Sequence, residues 1–189
     1  MLMSAFAAVL LAATAAPSPA SAPCALVDRD FVAATQKTRI VATKESRAKG
    51  ASVDRRACYY QAEPLALSVS LEWSADSVPG GARHRWQEIF HEDGGESRNE
   101  REEEGERPRT PPAPVTGVGE EAYWVGNPAS GAIYALAGSS FVRVSVGGPG
   151  TEAEKRGRAR EIAARAVAAI RHGAKAPDRA GGATAHDLR

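Results

Sequence analysis

The sequence is short of most features that announce an activity. It has only two cysteines, Cys24 and Cys58, and their separation rules out the C-x-x-C spacing of thiol redox sites and zinc ribbons. It has almost no charge excess, since 24 Lys and Arg balance 23 Asp and Glu for a formal net charge of +1. No global field therefore draws in nucleic acid or an anionic membrane, and no nucleic-acid partner is expected. Long hydrophobic runs are also missing. The most apolar stretch, from Ala5 to Ala16, falls short of the roughly 20 residues that cross a bilayer, so no transmembrane anchor is expected.

What is present begins with MLMSAFAAVLLAATAAPSPASA, an apolar run followed by small residues and prolines. That is the order of the h- and c-regions of a secretory signal, so residues 1–22 are read as an export signal, although no Lys or Arg precedes the run. Cleavage after Ala16, Ala20 or Ala22 fits equally. A lipid on Cys24 is disfavoured, because the rigid ring of Pro23 fits a lipoprotein signal-peptidase cleft poorly. Two cysteines in an exported chain most simply form one disulfide, Cys24–Cys58. The expected location is periplasmic or secreted. A chain of 189 residues can bury one core of its own, so residues 23–173 are assigned to a single domain, expected to be monomeric.

Along that domain, Asp28 is placed as a helix N-cap, with Val27 and Val32 as a hydrophobic staple. TRIVATKES reads as a strand, RAKGASVDR as a turn and CYYQ as a second strand. The clearest strand pattern is Leu65, Leu67, Val69, Leu71 and Trp73 alternating with Ala66, Ser68, Ser70 and Glu72. Pro79-Gly80-Gly81 ends it. ARHRWQEIFHED then reads as a helix stopped by Gly94-Gly95, with Trp86, Ile89 and Phe90 facing the core. Residues 96–114, acidic and then proline-rich, have almost nothing apolar to bury and are expected to be a disordered or extended surface loop. A strand follows at Ala122 to Val125. A hairpin then turns at Gly138-Ser139, with Ile133, Ala135, Ala137, Val142, Val144 and Val146 facing inward. Thr151-x-x-Glu154 is a capping box opening a last helix with the stripe Ala159, Ile162, Ala163, Ala166 and Ile170. Glu154–Arg158 and Glu161–Arg165 are spaced as i,i+4 pairs on its outer side. Gly173 stops the helix, and residues 174–189 are read as a flexible tail. The predicted class is α+β: an antiparallel sheet of about five or six strands with helices packed on a face.

CALVDRDFV, CYY opening a strand, GVGEEAY, FVRVSV and the Ala-rich last helix together resemble a bacterial family of small exported proteins and lipoproteins known only as a domain of unknown function. The likeness covers Cys24 to Arg171. It implies a sheet-plus-helix fold, an envelope location and the same pairing of two cysteines, and it implies no catalytic residue. The acidic insert at 96–114 and the want of a separate lipidated cysteine depart from that family.

Three patterns bear on chemistry. His84, Glu88 and His91 share a helix face, and imidazole with carboxylate is a zinc or iron donor set. Trp86, Ile89 and Phe90 put the buried side opposite, which leaves the three polar groups in solvent. GVGEEA matches a dinucleotide fingerprint only formally, because prolines precede it and a strand follows where a helix is required. Ser139 and Ser140 sit in a hairpin turn without a placed base. The acidic run Glu100 to Glu106 and the arginines 156, 158, 160, 165 and 171 read as solvated charge. The leading reading is a non-enzymatic exported domain that binds a protein or envelope component. Its candidate surfaces are the 96–114 loop and the strand aromatics Tyr59, Tyr60, Tyr123 and Trp124. The alternative is a metal-dependent hydrolase or metal-binding protein using His84, Glu88 and His91. No cofactor is expected.

Overall fold

A computed structural model of the chain describes residues 22–91, 111–127 and 130–173. The export signal through residue 21, the acidic stretch as far as residue 110 and the tail from residue 174 lie outside the described residues. After a 3-10 turn at Pro23–Ala25 come α1 (Arg29–Gln36), β1 (Arg39–Ala48) and β2 (Val53–Glu63). A second 3-10 turn, Leu65–Leu67, leads to β3 (Val69–Asp76) and α2 (Gly81–Phe90). The remainder is β4 (Ala113–Pro114), β5 (Ala122–Gly126), β6 (Gly131–Ala137), β7 (Ser140–Val146) and α3 (Glu152–Gly173). The strands form one antiparallel, seven-stranded sheet in the order β1-β2-β3-β7-β6-β5-β4. The α+β class holds, with more strands than the five or six expected.

Local chemistry sets the helix ends. Asp28 Oδ1 accepts from the amides of Asp30 and Phe31 at 2.7 and 3.3 Å, which satisfies two otherwise unpaired donors of α1. The staple residues Val27 and Val32 are buried. The capping box of α3 closes in both directions: the Thr151 amide donates to Glu154 Oε2 at 2.7 Å, and the Glu154 amide to Thr151 Oγ1 at 3.3 Å. Gly138, at φ 63°, supplies the left-handed turn between β6 and β7.

Alternation along the strands builds two different faces. On the first, Val69 and Leu71 of β3, Val142, Val144 and Val146 of β7, and Ile133 and Ala135 of β6 meet Val32 of α1 and Ala159, Ile162, Ala163 and Ala166 of α3. The Cys24–Cys58 disulfide ties the N-terminal turn to β2 within this layer, with Cα atoms 5.0 Å apart. On the second face, Ala82 and Trp86 of α2 pack on Leu136 and Phe141, with Phe90, Tyr123 and Tyr134 around them. Helices therefore cover parts of both faces rather than one. The cause is the β6–β7 hairpin, which turns Ile133, Val142 and Val144 to the first face and Leu136 and Phe141 to the second.

Four further expectations are corrected. β3 begins at Val69, and Leu65, expected on the buried face, is 62% exposed. The alternating pattern overran the strand, because residues after Glu63 must reverse direction before β3 can pair with β2. Ile89 is an exposed residue of α2, since Ala82, Trp86 and Phe90, spaced by four, form the packed stripe. Ala113–Pro114, inside the segment expected to be a loop, pairs with Trp124 and Tyr123 as β4. Of the two i,i+4 pairs expected on α3, Glu161–Arg165 is not formed, and Arg165 instead lies 5.6 Å over the Phe31 ring. Arg158, by contrast, donates to the Pro149 carbonyl at 3.2 Å and, after the hydrogen bonds from Thr151, helps hold the Glu154 carboxyl below its ordinary value.

Candidate functional site

Consecutive residues of a strand point to opposite faces, so Tyr59–Tyr60 and Tyr123–Trp124 cannot form one aromatic surface. The structure divides them accordingly. Tyr60 is fully buried on the first face, where its hydroxyl donates to the Val27 carbonyl at 2.8 Å. Burial, with the nearby charges of Asp28 and Glu45, pushes its phenol well above the ordinary range. Trp124, 2% exposed, donates Nε1 to Glu152 Oε1 at 3.0 Å. Neither side chain is available to a partner, which corrects the sequence reading. Tyr123 belongs to the aromatic cluster under α2, stacked on Phe90 with ring centroids 4.6 Å apart. Tyr59 alone remains on open surface.

The C-terminal end of α2 is held by a residue that the sequence did not single out, Glu121. Its Oε2 accepts from Trp86 Nε1 at 2.7 Å and lies 3.0 Å from His91 Nε2, while its Oε1 accepts from the Tyr123 hydroxyl at 2.6 Å. Burial opposes ionisation of this carboxyl, but the hydrogen bonds from Tyr123, Trp86 and His91 together outweigh it and hold the group below the usual carboxylate range. Glu121 lies in GVGEEAY, where Gly117 and Gly119 adopt left-handed φ of 76° and 68°. The sequence signal was an acid directly before a strand aromatic, which is too common to stand out.

The proposed metal ligands are not brought together. His84 Nδ1 is 3.4 Å from Glu88 Oε1, whereas His91 faces Glu121. Glu88 also accepts from Arg85 Nη1 at 2.8 Å, and that bond holds its carboxyl below the ordinary value. Among the described residues no group of three or more His, Cys, Asp or Glu is arranged to hold a metal ion.

The remaining feature is an open depression of ≈470 Å³ on the part of the second face that α2 leaves uncovered. Strand register explains it. Tyr59, Ser70, Ser145, Ala132 and Val125 are successive cross-strand partners, so small residues occupy the middle of the row. In the rows nearer α2 the same face carries Arg143, Tyr134 and Tyr123, and then Phe141 and Leu136. Large side chains fill one half of the face and small ones leave room on the other. Leu65 and Tyr59 border the space, and Arg143 and Tyr134 enter it from the α2 side. The volume falls within the roughly 300–1,000 Å³ of small-molecule sites. Among the described residues its lining holds serine and tyrosine hydroxyls but no His, Cys, Asp, Glu or Lys, so these residues can bind and orient a ligand but supply no acid–base pair. No family model, curated protein or solved structure matches the chain.

Proposed function

We propose that the chain is an exported, non-enzymatic binding module that works outside the cytoplasm and seats its ligand in the depression on the second sheet face. The observation that carries this reading is the row of small residues, Ser70, Ser145 and Ala132, left open beside the covered aromatic cluster. A sheet that only needed a core would fill those positions with large apolar residues or cover them. The exposed Leu65 and Tyr59 at the border add the apolar contact area that binding sites use. The disulfide supports an oxidising compartment. It also commits the Cys24 sulfur, which is then not available for a thioether-linked lipid.

The test is a panel of small aromatic and aliphatic amphiphiles added to the oxidised, isotope-labelled chain, followed through the backbone amides of Ser70, Ala132 and Ser145. A saturable response centred on these three, and lost in Ser145→Leu, supports the reading. Responses spread over the molecule, or unchanged in the filled variant, overturn it. For the compartment, both thiols of protein taken from its native cells should alkylate only after reduction; free thiols in the untreated protein would refute export to an oxidising space.

A further inference from the structure

Among the described residues that line the depression one is charged, Arg143, and its setting is that of a cation waiting for a partner. Arg143 lies on β7, the central strand of the sheet, and is half-buried. Its Nε donates to the Tyr134 hydroxyl at 2.9 Å, and the guanidinium carbon sits 5.7 Å from the centroid of the Tyr134 ring. One nitrogen is thus committed and the plane is steered, while no described residue forms a hydrogen bond or ion pair with the two terminal nitrogens. Glu72 is its cross-strand neighbour on β3, yet it makes no ion pair with Arg143 and does not line the depression. Lys44, the cross-strand partner of Tyr59, adds a second positive charge on the same face beyond the border.

Resting on the reading of the depression as the binding site, we propose that it takes the acidic end of a ligand, a carboxylate or phosphate carried on an aromatic or apolar body. Arg143 receives the oxyanion through its terminal nitrogens in the forked geometry that guanidinium presents to such groups. Taking a cation partly out of water without a counter-charge is unfavourable, and a bound oxyanion removes that penalty. The hydroxyls of Ser70 and Ser145 can donate to the same group, and Tyr59, Tyr134 and Leu65 supply the surfaces for its body. A cationic ligand finds no acid among the described residues of the lining. A long nucleic acid would need many cations along its path, where the depression offers one.

The experiment uses three probes of nearly the same shape: phenylacetate, phenyl phosphate and the neutral 2-phenylacetamide. Each is titrated into the oxidised labelled chain, with the Nε–H signal of Arg143 and the amides of Ser70, Ala132 and Ser145 as readouts. At least one acid should bind about ten- to a hundredfold more tightly than the amide, as expected for a charge-assisted pair. The tighter of the two acids identifies carboxylate or phosphate as the group recognised. Arg143→Gln should abolish the preference for the acids. Tyr134→Phe, which keeps the ring and the charge, should weaken acid binding a few-fold and leave amide binding unchanged. If the amide binds as well as both acids, the anion proposal falls while the depression stands as a site. If none of the three moves the depression signals, both fall together. Should Arg143→Gln fail to fold, the acid–amide comparison in the parent chain and the Tyr134→Phe variant still decide the matter.

Discussion

The disulfide joins Cys24 to Cys58 across a sequence separation of 34, and its removal gives a prediction whose size follows from that length. In the chain-entropy account, opening a loop of this size returns about 4 kcal/mol of freedom to the unfolded ensemble. For a domain of this size that corresponds to a fall of about 8–16 °C in Tm. Reduction of the parent chain is the cleaner perturbation, because it keeps both sulfurs in place and leaves the packing around the fully buried Cys58 intact. The enclosed segment holds α1, β1 and the first half of β2. β1 is an edge strand, exposed from Val41 onward. It contributes little burial to offset the entropy of ordering it, so α1 and β1 should be the first elements to gain amide exchange after reduction. The assay is urea unfolding of the oxidised and reduced chains, with exchange read by element. A difference below about 1 kcal/mol would refute the loop-closure reasoning. So would exchange that quickened first in β6 and β7, the interior strands.

Three further perturbations have defined outcomes. Tyr60→Phe removes the buried donor to the Val27 carbonyl and should cost about 1–3 kcal/mol in urea unfolding; an unchanged midpoint would show that the bond contributes nothing net. Glu121→Gln should destabilise at pH 7, and by progressively less as the pH is lowered into the acid range. The folded carboxyl titrates below its unfolded value, so its contribution is present above about pH 4.3 and is lost as pH falls through the folded pKa. A gap between variant and parent that failed to narrow, or widened, as the pH fell below about 4.3 would contradict this sign. Trp86→Ala empties the centre of the α2 cluster, where the indole is fully buried, and should cost about 3–5 kcal/mol. Because the main core is a separate cluster, the far-UV signal of the sheet, α1 and α3 should survive; a loss of all structure would show that the two clusters are one cooperative unit.

Capping and period were what the sequence disclosed best, because both are local. Asp28 and the Thr151–Glu154 box form as expected, and the inward residues of β6 and β7 are the ones alternation selected. Faces were harder. Period two says that Tyr59 and Tyr60 are opposed, but it does not say which of them a helix will cover, since that depends on contacts distant in sequence. The same limit hid Glu121, whose partners Trp86 and His91 come from α2, some thirty residues earlier. Leu65 shows a different failure. Its hydrophobic character was read as burial, while the structure places it at the border of the depression.

The depression persists because α2 is fixed at both ends and is too short to reach it. At the start, Asp76 accepts from the amides of Gly80 and Ala82 at 2.9 and 2.6 Å. There a Cβ on Gly81 would lie 2.0 Å from the Ser52 carbonyl oxygen, so backbone meets backbone at the β1–β2 turn and only glycine permits the approach. At the other end, Glu121 holds Trp86 and His91. A ten-residue helix is about 15 Å long, and stretched from β2 toward β5 it spans most of the distance across four strand spacings of about 4.8 Å. The helix therefore runs across the strands, over the end that carries Leu136 and Phe141, with no length left to lie along them. Covering one end of the strands leaves the other end bare, and there Ser70, Ala132 and Ser145 present little to replace the missing layer. The anchoring of α2 and the opening of the depression are thus two consequences of one geometry. Loosening α2 by Trp86→Ala should alter the covered half and leave the response of Ser70 and Ser145 to a bound acid in place.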